Sequence, residues 1–396
     1  MKEAYDMNST EVKSTDKQYI APTYARFDVA LAQGKGATCY DFERNAYIDF
    51  TSGIGVNSLG FCNDAWSAAV AKQVGTLNHV SNLYYTAPGA VLAKALCETT
   101  GYKKVFFGNS GAEANEGAIK AARKYSFDKY GAGRSTIMTL DNSFHGRTVT
   151  TLSATGQEHY HQYFFPFTGD FIYGLANDIA DVKSKLDGTV CAVMVEFIQG
   201  EGGVVPLDEG FVQELAALCA EKDVLLIADE VQTGVGRTGK FLASEWYGVK
   251  PNITTLAKGL GGGLPIGAVL LDEKTEQVLG FGDHGSTFGA NPISCAGAKV
   301  VMDTVAAPDF LARVAARFEQ IEQKLVNCSE VSGLTGKGMM VGIALKTKKA
   351  GEVAKACLEK GLLVLTAKDK VRLLPPLVIT DEELNKGLDI LASVLG

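Results

Sequence analysis

Basic charge is scarce in this 396-residue chain, where 38 Lys and Arg face 45 Asp and Glu for a formal net charge of −7. That balance excludes the cationic footprint of a nucleic-acid or anionic-lipid binder, so an anionic substrate must be met by local cations. Paired cysteines are missing too. The eight cysteines (Cys39, Cys62, Cys97, Cys191, Cys219, Cys295, Cys328, Cys357) are scattered without a CxxC, and Cys191 sits inside the apolar run TVCAVMVEF. This spacing argues against a disulfide framework or structural zinc, and predicts a reducing, cytoplasmic setting. No run reaches the roughly 18 apolar residues a membrane helix needs. The polar opening MKEAYDMNSTEVKSTDKQYIAP has no signal-peptide core.

What is present is an α/β pattern. Short apolar, β-branched runs at 104–107, 136–140, 190–195, 224–228, 253–257 and 266–271 read as buried strands. Helical patterns such as GAEANEGAIKAARKYS and EGFVQELAALCAEK lie between most of them. Apolar strands alternating with helices predict a mainly parallel sheet covered on both faces. Residues 31–50 read as a hairpin turning near Glu43–Asn45. From Pro292 onward the pattern is a long helix, strands around GKGMMVGIAL and KVRLLPPLVI, and a last helix. The expected organisation is a large α/β domain over 61–291 and a smaller α+β domain from 1–60 and 292–396.

In a parallel sheet, ligands bind beyond the carboxyl ends of the strands, so the residues that follow each strand carry the information. After VFF comes GNSGAEANEGAIK, which puts Ser110, Gly111 and Ala112 at a helix N-terminus suited to phosphate. Read alone, Ser110 is more readily an ordinary N-cap. The later strand ends supply Phe144, His145 and Arg147, then Glu196 and Glu201, then Asp229 and Gln232, and finally Lys258 ahead of a glycine cluster. A stacking ring, a phosphate cradle, a carboxylate and an amine together suit pyridoxal 5'-phosphate. Lys258 must be partly desolvated for this, because an ordinary lysine, with a pKa of about 10.4, is almost all ammonium at neutral pH.

Other motifs carry less. GVGRTG at 234–239 matches GxGxxG, but DEVQT separates it from its strand and no crossover helix follows. Its overlap with a P-loop fails at Phe241, where Ser or Thr would hold magnesium. His159 and His161, spaced i, i+2 with no nearby carboxylate or Cys, do not make a metal site.

The series ADEVQTGVGRTGKFLASEWYGVKPNITTLAKGLGGGLPIGAVL, GNSGAEANEGAIKAAR, NSFHGRT, IQGEGGV, HGSTFGANP and VRLLPPLVI closely resembles the class-III pyridoxal-phosphate aminotransferases. The likeness runs from about Tyr24 to the end. It implies a fold-type-I architecture with Lys258 as the cofactor-binding lysine and Asp229 paired with the ring nitrogen. Gln232 would meet the ring hydroxyl, Phe144 and His145 the ring, and Ser110, Gly111 and Ala112 the phosphate. Thr287 would reach the phosphate of a neighbouring subunit, implying a homodimer with shared active sites. For substrates, the resemblance implies Arg147 and Arg372 as carboxylate grips, Glu201 as the switch partner of Arg372, and Ser286, Tyr24 and Ile54 as further contacts. Within the family the chain is most similar to the branch acting on N2-acetylornithine and 2-oxoglutarate. Relatives there take ornithine, succinylornithine, 4-aminobutyrate or acetyl-lysine. Ile54 stands where ornithine transaminases tend to carry tyrosine, which favours an acylated donor. An aminomutase using the same cofactor is the alternative chemistry. Phe197, GFCND and Ala290 depart from the family pattern.

Overall fold

The computed structural model describes residues 7–396, and the opening hexapeptide lies outside them. Among these residues, seven strands form the central sheet in the order 104–108, 267–271, 253–256, 225–229, 190–195, 136–140 and 171–174. The Gly267–Leu271 strand runs antiparallel to both neighbours, and the other pairings are parallel. The six expected strands are therefore present. Phe171–Gly174 has no counterpart in the sequence reading, because a four-residue, half-buried edge strand offers no continuous apolar run.

Both sheet faces are buried, so side chains alternate between two apolar layers rather than between core and water. Leu225 and Ile227 join the small residues Ala114, Ala118, Ala121 and Ala122 of helix Gly111–Tyr130. Leu226 and Ala228 join Phe211, Val212 and Leu215 of helix Glu209–Glu221 on the other side.

The chain ends meet in smaller sheets. Thr38–Asp41 and Ala46–Asp49 form the expected hairpin, whose turn is held by Asp41 accepting from Asn45 N and Asn45 Nδ2, each at 2.8 Å. Leu362–Leu363 then pairs parallel to Ala46–Asp49, joining both ends of the chain in one sheet. Strands Val331–Lys337, Met340–Leu345, Lys370–Leu373 and Leu365–Ala367 make another. The single long helix expected after Pro292 is instead two, Pro292–Val305 and Pro308–Leu325. Pro308 lacks a backbone N–H and disfavours helical geometry at the residue before it, and Ala307 is extended at φ −66, ψ 129. The strand expected over KVRLLPPLVI likewise stops at Leu373, before Pro375 and Pro376. One apolar cluster includes Phe50, Leu256, Leu270, Val341 and Leu391, so the core is continuous from the central sheet to the chain ends. No helix among the described residues is long and apolar enough to cross a membrane.

Candidate active site

A cavity of about 400 Å³ opens beyond the carboxyl ends of the parallel strands. Ser110, Gly111, Ala112, Phe144, His145, Asp229, Gln232 and Lys258 all line it. Ser110 caps helix Gly111–Tyr130, its hydroxyl accepting from Glu113 N at 3.1 Å, so the positive end of a 20-residue helix faces the space. Gly111 is required by packing: a Cβ there would lie 2.7 Å from Val231 Cγ1.

Asp229 ends its strand almost fully buried, where a carboxylate is costly unless donors meet it. It accepts from Asn115 Nδ2 at 2.8 Å and Val231 N at 3.0 Å, and meets His145 Nδ1 at 2.8 Å. Thr255 Oγ1 donates to Asn115 Oδ1 at 2.7 Å, and Asn115 Nδ2 also reaches His145 O, so every group in this floor is oriented by another. Glu196, also buried, accepts from Phe144 N at 2.9 Å and Gly200 N at 3.1 Å. Burial pushes its carboxyl up to about 7; nearby His145 opposes that shift and Asp229 adds to it.

Lys258 follows strand Ile253–Leu256 with φ +41, a left-handed backbone unusual for a residue other than glycine. Burial pushes its amine below the ordinary lysine value, against the pull of Glu201 and with the help of Arg372. Beyond Gln232 lies Arg372, 3% exposed, whose Nη1 donates to Glu201 Oε1 at 2.6 Å and to Gln232 Oε1 at 3.1 Å. Burial works against the Glu201 charge, but the guanidinium outweighs it and holds that carboxyl below its usual value. Gly200 makes room for this arrangement, since a Cβ there would fall 2.3 Å from Gln232 Oε1.

The remaining expected residues sit outside the cavity. Arg147 is exposed and lies over the Tyr160 ring at 4.1 Å. Ser286 is held nearby, its hydroxyl accepting from Asn109 Nδ2 at 3.0 Å. Thr287 is exposed, and Tyr24 and Ile54 are 73% and 44% exposed, so one chain brings none of these three to the cavity wall. Asn115, Val231 and Tyr160 are contributors that the sequence reading missed. Asn115 could have been found as a polar residue on the alanine face of its helix. Val231 and Tyr160 carry no such signal. Elsewhere, His161 Nε2 meets Leu152 O at 2.8 Å, and the His159 ring packs against Tyr160 at a tilt of 41°. Arg237 of the GVGRTG stretch is buried and reaches Met339 O and Pro375 O, a packing role. Phe197 stacks on Tyr247 with ring centres 5.2 Å apart, and Ala290 carries φ +56, the conformation that glycine ordinarily supplies.

An α/β fold whose strand-end cavity joins a desolvated lysine, a buried carboxylate and a helix N-terminus defines a pyridoxal-phosphate enzyme of fold type I. The chain belongs to the class-III aminotransferases, whose family description matches residues 19–395. An acetylornithine aminotransferase from Haemophilus ducreyi is 52% identical over 391 residues, covering 98% of this chain and 99% of that protein. A succinylornithine transaminase from Yersinia pseudotuberculosis is 43% identical, covering 95% of this chain and 94% of its own length. The solved ornithine aminotransferase from Toxoplasma gondii, which holds PLP at partial occupancy, superposes with a TM-score of 0.94 at 31% identity, covering 100% of this chain and 96% of its own. This protein is a transaminase that uses pyridoxal 5'-phosphate.

Proposed function

We propose that the protein transfers the terminal amino group of N2-acetyl-L-ornithine to 2-oxoglutarate, giving N-acetyl-L-glutamate 5-semialdehyde and L-glutamate, a step of arginine biosynthesis. One observation carries the chemistry: a single cavity holds Lys258, Asp229 and the Ser110–Ala112 helix start, with the Arg372–Glu201 pair one hydrogen bond away through Gln232. The donor is supported by likeness at the upper end, since two acetylornithine aminotransferases are 52% and 47% identical over nearly the whole chain; others at 43% and 42% stand level with the succinylornithine enzyme at 43%.

The residues fit the cofactor. Ser110, Gly111 and Ala112 would hold its phosphate, and Phe144 would cover one face of its ring. Asp229, fixed by its three partners, would keep a proton on the ring nitrogen, and Lys258 would hold the aldehyde carbon. When bound, the cofactor supplies an electron sink for the bond broken at the donor carbon. Lys258 Nζ would take the proton from that carbon, a task its lowered affinity for protons favours over permanent protonation. Arg372 answers the two substrates differently. With the amine donor it stays paired to Glu201; with 2-oxoglutarate, Glu201 gives way and the guanidinium grips the α-carboxylate. Arg147 grips the other carboxylate.

We read the assembly as a homodimer with shared active sites, in the cytoplasm. Leu83, Tyr84 and Tyr85 are 81%, 73% and 107% exposed, and Phe288 is 59% exposed. Asn82 Nδ2 ties their segments together through Ser286 O at 2.8 Å and Gly289 O at 3.0 Å, making one apolar surface beside Thr287. The deciding experiment is a donor panel of acetylornithine, succinylornithine, ornithine, 4-aminobutyrate and acetyl-lysine with 2-oxoglutarate. Acetylornithine should give the highest kcat/KM, and a higher value for any other donor overturns the assignment.

A further inference from the structure

Arg147 is exposed, and among the described residues it makes no hydrogen bond and no ion pair. It is nevertheless not loose. Its guanidinium carbon lies 4.1 Å from the centre of the Tyr160 ring and 5.6 Å from that of Phe144, and these two rings meet edge to face at 5.9 Å. Phe144 lines the cavity, so the stack places the cation at its edge.

The segment carrying Tyr160 is fastened to the segment carrying Phe144 and Arg147. Asn142 N donates to Gly156 O at 2.7 Å, Gly156 N to Ser143 Oγ at 3.0 Å, and His145 N to Thr155 Oγ1 at 2.9 Å. Gln157, itself buried, adds a bond from Nε2 to Ser143 O at 2.9 Å. Tyr160 closes the short helix Glu158–Tyr160 immediately after these links, and its N–H donates to Gln157 O at 3.0 Å. Its hydroxyl has no partner among the described residues.

A guanidinium stacked on a ring uses its flat face and leaves its in-plane N–H groups free. A long side chain already held in one orientation also loses less freedom when it binds. We propose that Tyr160 is the positioning residue of the substrate-carboxylate site: its ring fixes the plane of Arg147 so that the N–H edge meets an incoming carboxylate. This rests on the reading of Arg147 as a carboxylate grip. The ring carries the effect and the hydroxyl does not.

Steady-state kinetics of the holoenzyme test this, together with titration by glutarate, a dicarboxylate that cannot react. Tyr160→Phe should leave both KM values and glutarate affinity within about twofold of the wild type. Tyr160→Leu should raise the KM for donor and for 2-oxoglutarate and weaken glutarate binding, each roughly fivefold, as an exposed guanidinium–ring contact allows, with kcat nearly unchanged. Tyr160→Met, similar in bulk but without a ring, should behave the same way and serves where the leucine variant does not fold. In an Arg147→Met background, the Tyr160 change should have no further effect. If Tyr160→Leu and Tyr160→Met leave both KM values alone while Arg147→Met raises them, the platform role is wrong and the reading of Arg147 stands. If Arg147→Met also leaves them alone, that reading fails and the inference fails with it. Equal losses on the wild-type and Arg147→Met backgrounds would show Tyr160 acting on the fold, which also overturns the proposal.

Discussion

The floor of the cavity and its rim are built on opposite plans. On the floor, Asp229, His145, Asn115 and Thr255 are buried, and each is oriented by a neighbour. At the rim, Arg147 is exposed and braced against the wall through Phe144, while the other expected contacts, Tyr24, Ile54 and Thr287, are exposed and lie off the wall of this chain's cavity. A buried polar network holds its geometry without a ligand, because any departure strands a desolvated group. An exposed side chain bears no such penalty and is free to be completed by a substrate or a second subunit. With Lys258 and Asp229 in their proposed roles, the floor carries the reaction common to the family and the rim carries the choice of donor.

The largest effects should follow from breaking the floor. Lys258→Ala should reduce turnover by about ten-thousandfold or more and abolish the visible absorbance of the lysine-bound cofactor. Asp229→Ala should cost a comparable factor while the protein still folds; either variant with near-normal kcat removes the distinction between floor and rim. Arg372 lies between the two regions. Arg372→Met should raise the KM for 2-oxoglutarate about a hundredfold and change the donor KM far less if, as proposed, the Arg372–Glu201 pair persists when the donor binds. Equal rises for both substrates would show that Glu201 does not exchange.

The next effect sharpens the comparison through pH. Glu196 has its carboxyl pushed from an ordinary 4.5 up to about 7, first by burial. Between these values the folded protein holds more protons than the unfolded chain, so this group's contribution to stability falls as pH rises through that window. Glu196→Gln should flatten the decline by on the order of 2 kcal/mol, read from denaturant unfolding of the apoenzyme across that range. An unchanged slope would mean that Glu196 is ionised throughout, its two backbone donors outweighing burial. The smallest effect belongs outside the cavity wall. Ile54 has φ +66 in a turn where Ser52 and Gly53 are also left-handed, at +47 and +59. A β-branched side chain is strained there, so Ile54→Gly should stabilise the protein by about 1 kcal/mol. Destabilisation instead would show that the exposed isoleucine is packed in a way its exposure conceals.

Legibility followed the same division. Lys258 and Asp229 were readable because each ends a strongly apolar run, where a charge is costly enough to need a reason. Ser110 was readable from the start of a helical pattern. Asn115 and Val231 reach the same cavity from a helix face and a turn, and neither position alters the local pattern that identifies a strand end. Tyr160 was hidden altogether: an aromatic in a loop has many uses, and only the cross-links from Asn142 to Gln157 reveal what lies above its ring. The break at Pro308 was visible as a proline, yet the apolar period continues across it, so two helices read as one.

By itself, the sequence determined the alternation of strands and helices, the positions of the strand ends and the residue types placed there, since these depend on local periodicity and on the cost of charge beside apolar runs. Tertiary structure alone decided which strand ends face one cavity, which strand runs against the rest, and which ring lies beneath Arg147. Those outcomes depend on contacts between residues far apart along the chain, and no local pattern encodes them.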